Sequence, residues 1–289
     1  MIVSKLVKAM FAIAIIFLIA IPSSNVMADE SFRPEELLQK HLDSIGTTEA
    51  RSAVKSRVLQ GTATYRLITG GSGEFIGKSV MVSEADKFQL LLKVNAIKYR
   101  GEKFVRNGSK TFVYGTYDDA TRSEFGEFLR SQDFPLREGL LGGVLSSGWP
   151  LLDLGGHGAK LHFDGRKKVN GVEMLAVSYH PKKGIDLDVT LYLDPTTFRH
   201  VMTLYTATRI SGIGLGGEQE SARRNEARYR IEERFSDFKT VDGITLPFRY
   251  DLRYQQELQT GFTKLVEWDV SADNIQNNIS LDPRNFETH

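Results

Sequence analysis

The chain has 289 residues, 41% apolar and 25% charged, a balance that suits a globular protein and is too rich in core-forming side chains for a disordered one. Lys and Arg total 37 against 36 Asp and Glu, so there is no electrostatic footprint for nucleic acid. With no cysteine, a disulfide, a thiolate metal site, a catalytic thiol and a lipid-modified cysteine are all excluded.

Taken from the start, Lys5 and Lys8 precede an unbroken apolar run from Ala9 to Ile21, which Pro22, Ser23 and Ser24 break. Val26 and Ala28 then fill the two small-residue positions of a cleavage site before Asp29. Basic region, short apolar region and cleavage site together predict a secretory signal peptide over residues 1–28. The apolar run is too short to cross a hydrocarbon core about 30 Å thick. Removing it takes away two lysines and no acid, so residues 29–289 are expected to form a nearly neutral, periplasmic, soluble protein.

The exported chain opens with helix. Pro34 suits a first helical position, Glu35 and Glu36 suit the positive end of the dipole, and Leu37, Leu38, Leu42 and Ile45 recur at helical spacing until Gly46. Thr47-Thr48-Glu49 begins a second short helix to about Val54. Strands are predicted at 57–67, 77–82, 88–94, 98–106 and 110–114, with Asn107-Gly108 as a two-residue type I′ hairpin turn. Phe88, Leu90, Leu92 and Val94 alternate cleanly.

Helix returns at Thr121-x-x-Glu124, a capping-box pattern followed by Phe125, Phe128 and Leu129 on one face. Leu140, Leu141, Val144 and Leu145 make a second apolar stripe that ends near Trp149-Pro150. The stretch 121–149 reads as two helices packed on a sheet, or as a lid over the open end of a curved one. Strands resume at 159–168, 172–179, 185–193 and 200–208, and three more follow at 228–238, 244–254 and 262–270. Leu187, Val189, Leu191 and Leu193 face a core while Asp186, Asp188, Thr190 and Tyr192 face water. Turns every eight to twelve residues imply an antiparallel meander, and no linker divides the exported chain, so one α+β, mainly β domain is expected.

Motifs for chemistry are weak. Gly212-x-Gly214-x-x-Gly217 matches the dinucleotide fingerprint, but the residues after it carry no apolar helical stripe. Ser52-x-x-Lys55 lacks the accompanying elements of a penicillin-recognising enzyme. The six histidines have no metal-ligand spacing. Asp186 and Asp188 share a strand face as a hydrolase's paired carboxylates would, and solvated alternation explains them equally well. A transmembrane barrel is disfavoured by the helices. No catalytic residue, cofactor or metal is expected, and the chain reads as non-enzymatic.

Several segments together resemble the LolA/LolB-like periplasmic carriers of lipoproteins. The resemblance rests on the helix–Gly46–helix–strand order of 37–67 and on Val169-Asn170-Gly171-Val172 through Leu191-Tyr192-Leu193-Asp194-Pro195-Thr196-Thr197. It rests also on Phe235-Ser236-Asp237-Phe238, Val241-Asp242-Gly243, Leu246-Pro247-Phe248 and the terminal Asn278-Ile279-Ser280-Leu281-Asp282-Pro283 with Phe286. It implies an incomplete, strongly curved antiparallel barrel around an apolar cavity covered by helices, and a soluble carrier of lipid or lipoprotein acyl chains. The cavity and lid candidates are Phe88, Leu90, Leu92, Val189, Phe125, Phe128, Leu140, Leu141 and Leu145. The expected partner is a lipid or an acylated protein. The alternative is an envelope interaction or stress-sensing module of the same fold without bound lipid.

Overall fold

The computed structural model describes residues 31–287 except 98, 117–121 and 211–225. The signal segment, Thr121 of the capping box and the Gly212–Gly217 motif lie outside the described residues.

Twelve antiparallel strands form a single sheet in the order β5-β4-β3-β2-β1-β12-β11-β10-β9-β8-β7-β6. These are β1 (Ser56–Thr69), β2 (Gly73–Glu84), β3 (Lys87–Val94), β4 (Gly101–Asn107), β5 (Lys110–Gly115), β6 (Lys160–Val169), β7 (Val172–His180), β8 (Asp188–Leu193), β9 (His200–Ile210), β10 (Glu226–Val241), β11 (Ile244–Leu258) and β12 (Thr263–Asn277). The first and last strands pair in the middle, and each half of the chain meanders outward from that pair. β5 and β6 end the order and do not pair with each other among the described residues, so the barrel is incomplete.

Alternation decides which face is buried, because successive side chains of a strand point to opposite sides. The registers align Phe163, Val177, Leu191, Thr203, Glu233, Leu252, Trp268, Tyr65 and Phe75 in one row across nine strands. A second row runs through Leu59, Met81, Leu90, Phe104 and Val113. Most of these side chains are buried, with Leu90, Phe104 and Trp268 at 0% exposure.

The helices cover this inner face. Helix α1 (Pro34–Ile45) starts on proline, ends at Gly46 and buries Leu37, His41 and Ile45. Helix α2 (Thr48–Ala53) is capped by Thr47, whose hydroxyl accepts the Ala50 N–H. Between β5 and β6 the chain turns inward through α3 (Glu124–Ser131), α4 (Phe134–Arg137), short 3₁₀ turns at Gly143–Leu145 and Pro150–Asp153, and α5 (Leu154–His157).

Several expectations shift. The cap of α3 is Ser123, whose Oγ accepts the Gly126 N–H at 3.0 Å. The stripe 140–145 is not a helix of normal length, because Gly139, Gly142 and Gly143 have φ of 85°, 83° and 52° and break the right-handed path. Asn107 pairs with Lys110 as the last residue of β4, so the hairpin loop is Gly108-Ser109 and only Gly108 has positive φ. β2 begins four residues earlier than its alternation shows, at Gly73, and β8 begins later, at Asp188.

Trp268 is the pivot of the inner face: Tyr65 lies 5.2 Å away ring to ring, Phe125 lies 5.7 Å away, and Nε1 donates to Tyr99 Oη at 3.2 Å. Replacing it with alanine leaves a large void in a packed row. Trp268→Ala is expected to cost about 3–5 kcal/mol, read as a lower urea midpoint with the slope of the transition preserved.

Candidate functional site

All nine cavity and lid candidates fall in one core. Phe88, Leu90 and Leu92 on β3 and Val189 on β8 lie on the inner face. Phe125, Phe128, Leu140, Leu141 and Leu145 descend onto that face from segment 122–158, none more than 5% exposed. Phe125 packs 5.4 Å from Phe104, and Phe128 packs 5.2 Å from Tyr229. These residues fill the interior like a plug. Small gaps lie against the helices, one of about 10 Å³ lined by Leu37, His41, Leu161 and Leu191, and another of about 20 Å³ beside Arg57, Val144 and Ser147. Each has room for about one water.

What holds the plug is polar. Glu233 on β10 is buried between sheet and plug, and its Oε1 accepts the backbone N–H of Gly142 at 2.6 Å and the Tyr250 hydroxyl at 2.8 Å. Its Oε2 accepts the Tyr205 hydroxyl at 2.6 Å. Glu102 on β4 grips the start of the plug in the same way: Oε1 accepts Ser123 N–H at 2.9 Å, and Oε2 accepts Ser123 Oγ at 2.6 Å and Tyr99 Oη at 2.9 Å. Arg57 on β1 donates from Nη1 to Val144 O at 2.6 Å, and Ser83 Oγ on β2 accepts Ser147 N–H at 2.9 Å. On β7, Tyr179 Oη donates to Glu138 Oε1 at 2.5 Å. Arg106 on β4 reaches Gly148 O only weakly, at 3.4 Å, and its Nε has no partner among the described residues.

Burial sets the charge states. Desolvation pushes the carboxyls of Glu102 and Glu233 up to about 7, against the hydrogen bonds that favour the anion. It lowers Arg57 to about 10. Behind the plug, His41, Trp149 and His200 form a buried ring cluster, with Trp149 stacked on His200 at 4.9 Å and His41 edge-on to Trp149 at 5.3 Å. Desolvation lowers His41 to about 4 and takes His200 well below its ordinary value, so both imidazoles are neutral at pH 7.

The plug-holding residues are absent from the candidates read in the sequence, although the sequence carries a signal for them. Glu233 stands between Ile231 and Phe235 on the inward alternation of β10, and Glu102 precedes Phe104 in the same phase of β4. A carboxylate in an apolar phase marks either a bulge or a buried anchor.

At the end of the sheet where the β1–β2 and β11–β12 hairpins turn, a half-open cleft of about 310 Å³ lies between α3 and β10–β11. Phe128, Tyr229 and Tyr254 form its aromatic floor. The weaker sequence motifs gain nothing in three dimensions. Ser52 Oγ donates to Thr48 O, while Lys55 Nζ donates to the carbonyl of Ser52 and not to its hydroxyl. Asp186 precedes β8 and Asp188 opens it, both exposed.

No protein-family model matches the chain, and no curated protein matches it. Among solved structures it is similar to a LolA superfamily protein of Nitrosomonas europaea, at 12% identity and a TM-score of 0.45, over 89% of this chain and 99% of that one. It is similar to a putative outer membrane lipoprotein-sorting protein domain of Vibrio parahaemolyticus, at 8% identity and a TM-score of 0.39, over 86% and 97%. It is also similar to a chain of the MucA/MucB complex of Pseudomonas aeruginosa, at 11% identity and a TM-score of 0.24, over 84% and 99%.

The buried acids and imidazoles pull stability in opposite directions with pH. Glu102 and Glu233, raised to about 7, stabilise the fold fully below their unfolded value near 4.5, and that contribution is lost as pH rises to about 7. The lowered histidines contribute above about 6.5 and lose it as pH falls through their folded values. Between these limits the two pairs offset each other. Glu233→Gln is therefore expected to make stability fall more steeply on acidification from pH 6.5 to 4.5, by up to about 1.4 kcal/mol per pH unit. Urea midpoints across that range check it.

Proposed function

We propose that the protein is an exported binder of acyl chains, borne by a lipid or an acylated protein, which lie against the inner face of the open sheet when segment 122–158 withdraws. The observation that carries this reading is the mode of attachment of that segment. Its backbone is held by Glu233, Glu102, Arg57 and Ser83, polar side chains that reach up from a largely apolar face. Burying a carboxylate or guanidinium costs desolvation that an apolar side chain of similar volume avoids. A core built only to stay closed gains nothing from such contacts. A surface that must part and close again needs groups that water satisfies when it is open.

The exchange is feasible in energy. Withdrawing the plug exposes Phe104, Leu90, Trp268 and their neighbours, and an acyl chain restores apolar cover at roughly 0.8 kcal/mol per methylene. The export signal read in the sequence at residues 1–28 supports this reading, because an exported binder works where acyl chains need shielding from water.

The filled interior favours a second reading: an envelope interaction or stress-sensing module that stays closed and offers only its outer surfaces to partner proteins. A cysteine pair separates the two. Ser83→Cys with Ser147→Cys, in a chain with no other cysteine, bridges plug and sheet at a point where Ser147 N and Ser83 Oγ are 2.9 Å apart. The wild-type and reduced double variant are expected to take up a fluorescent fatty acid and to carry a stoichiometric lipid in native mass spectra. The oxidised variant is expected to bind at least tenfold more weakly. Absence of uptake and of co-purifying lipid in the wild type overturns acyl binding and leaves the closed module.

A further inference from the structure

We infer that the acyl ligand is anionic, and that Arg106 and Arg57 hold its phosphate or carboxylate head group at one end of the inner face. In the structure, backbone carbonyls of the inserted segment occupy those two arginines. This rests on the acyl-binding reading and names the class of ligand within it.

The row comes first. The registers align Arg57, Ser83, Phe88 and Arg106 across β1 to β4, on the same face as Leu59, Leu90 and Phe104. From that row the inner face runs on along β1 through Leu59, Ala63 and Tyr65, all buried. The stretch from Arg57 to Tyr65 spans about 26 Å at roughly 3.3 Å per residue. One end of the inner face is cationic and the length beside it is largely apolar. An acyl chain with a charged head has the same polarity.

The two charges are not neutralised where they stand. Arg57 and Arg106 are 4% and 3% exposed, and neither forms an ion pair among the described residues. Burial by itself lowers Arg57 to about 10, with no carboxylate acting against it. Asp86 and Glu138 act on Arg106 from a distance, yet burial still lowers it, and Glu138 Oε1 accepts the Tyr179 hydroxyl. Buried charges are ordinarily paired. Two guanidiniums kept in one inner row without a carboxylate point to an anion that the chain does not supply.

The carbonyls are stand-ins for that anion. Arg57 Nη1 donates to Val144 O at 2.6 Å, and Arg106 Nη2 reaches Gly148 O only at 3.4 Å. Arg106 Nε is buried and has no partner. The segment nevertheless makes room for this guanidinium with two glycines. A Cβ on Gly139 would stand 2.1 Å from Nη1, and one on Gly148 would stand 3.1 Å from Nη2. Arg106 is therefore accommodated without being satisfied. A phosphate or carboxylate carries the opposite charge and takes two parallel N–H groups of one guanidinium, which a lone carbonyl does not. Such a ligand competes with Val144 O and Gly148 O for the same donors, so withdrawal of the segment and capture of the head group become one exchange.

Calorimetric titration of the whole exported chain, with single-chain ligands kept below micelle formation, tests this. Lauroyl lysophosphatidylglycerol, laurate and monolauroylglycerol share one acyl chain, and only the last is uncharged. At least one of the two anions is expected to bind tenfold or more tightly than monolauroylglycerol. That gap should fall below threefold in Arg106→Gln and be partly kept in Arg106→Lys, which retains the charge and loses the fork. The affinity of lysophosphatidylglycerol against that of laurate tells phosphate from carboxylate as the preferred head. Glycerol phosphate, a head group without a chain, is expected not to bind. Binding of it as tight as that of lysophosphatidylglycerol assigns a soluble phosphate ligand and overturns the inference. The comparison of ligands on the unaltered protein decides even where a variant fails to fold. Equal affinity for charged and uncharged ligands overturns this inference and leaves acyl binding standing, whereas absence of binding by all three overturns both. A gap unchanged in both Arg106→Gln and Arg57→Gln overturns the assignment to this row.

Discussion

Glu233 sits where the fold would otherwise place an apolar side chain. It occupies the centre of a row that runs from Phe163 to Phe75 across nine strands, and a bare carboxylate there is untenable. Three donors make it tenable: Tyr205 and Tyr250 from the flanking strands, and the Gly142 N–H from the inserted segment. The third couples the two layers of the molecule. Gly142 can present its N–H there because its φ of 83° turns the chain back toward the sheet, which a side chain would resist. Without the Gly142 N–H, Glu233 would be one donor short.

That coupling explains why the inserted segment is so irregular. A long helix satisfies its own backbone and presents side chains, whereas the stretch from Gly139 to Ser147 leaves peptide groups for others to satisfy. The sheet supplies them from Glu233 and from a row to one side of it that holds Arg57 and Ser83, while Glu102, in a row between these two, grips Ser123 at the start of the segment. The apolar side chains between these anchors, Leu140, Leu141 and Leu145, then fill the curvature that an unclosed twelve-stranded sheet cannot fill alone. Polar anchoring and apolar filling thus alternate along the same segment.

The imidazole cluster of His41 and His200 belongs to the same economy of buried polar groups. His41 Nδ1 bonds the carbonyl of Phe198 in the β8–β9 turn, and His200 Nε2 bonds Thr203 Oγ1, so each ring is oriented by one nitrogen while burial keeps it neutral. Their opposition to the two raised carboxyls sets one histidine cluster against Glu102 on β4 and Glu233 on β10.

The strands, the two opening helices and the turn at Gly46 are legible in the sequence because each depends on neighbours within a few residues: alternation of period two, helical spacing, a proline start and a glycine stop. The apolar residues Phe88, Leu90, Leu92, Val189, Phe125 and Leu140 are legible as core for the same reason. Strand ends are less so, since β2 gains Gly73–Ile76 only by pairing with Leu67–Thr64 across the hairpin. The order of the sheet, with β1 against β12, the meeting of Glu233 with Gly142 ninety-one positions away, and the aromatic floor of Phe128, Tyr229 and Tyr254 were decided by tertiary structure alone. Local pattern states which way a side chain points, but the partner it meets depends on how strands distant in the chain align, and no spacing in the sequence encodes that register.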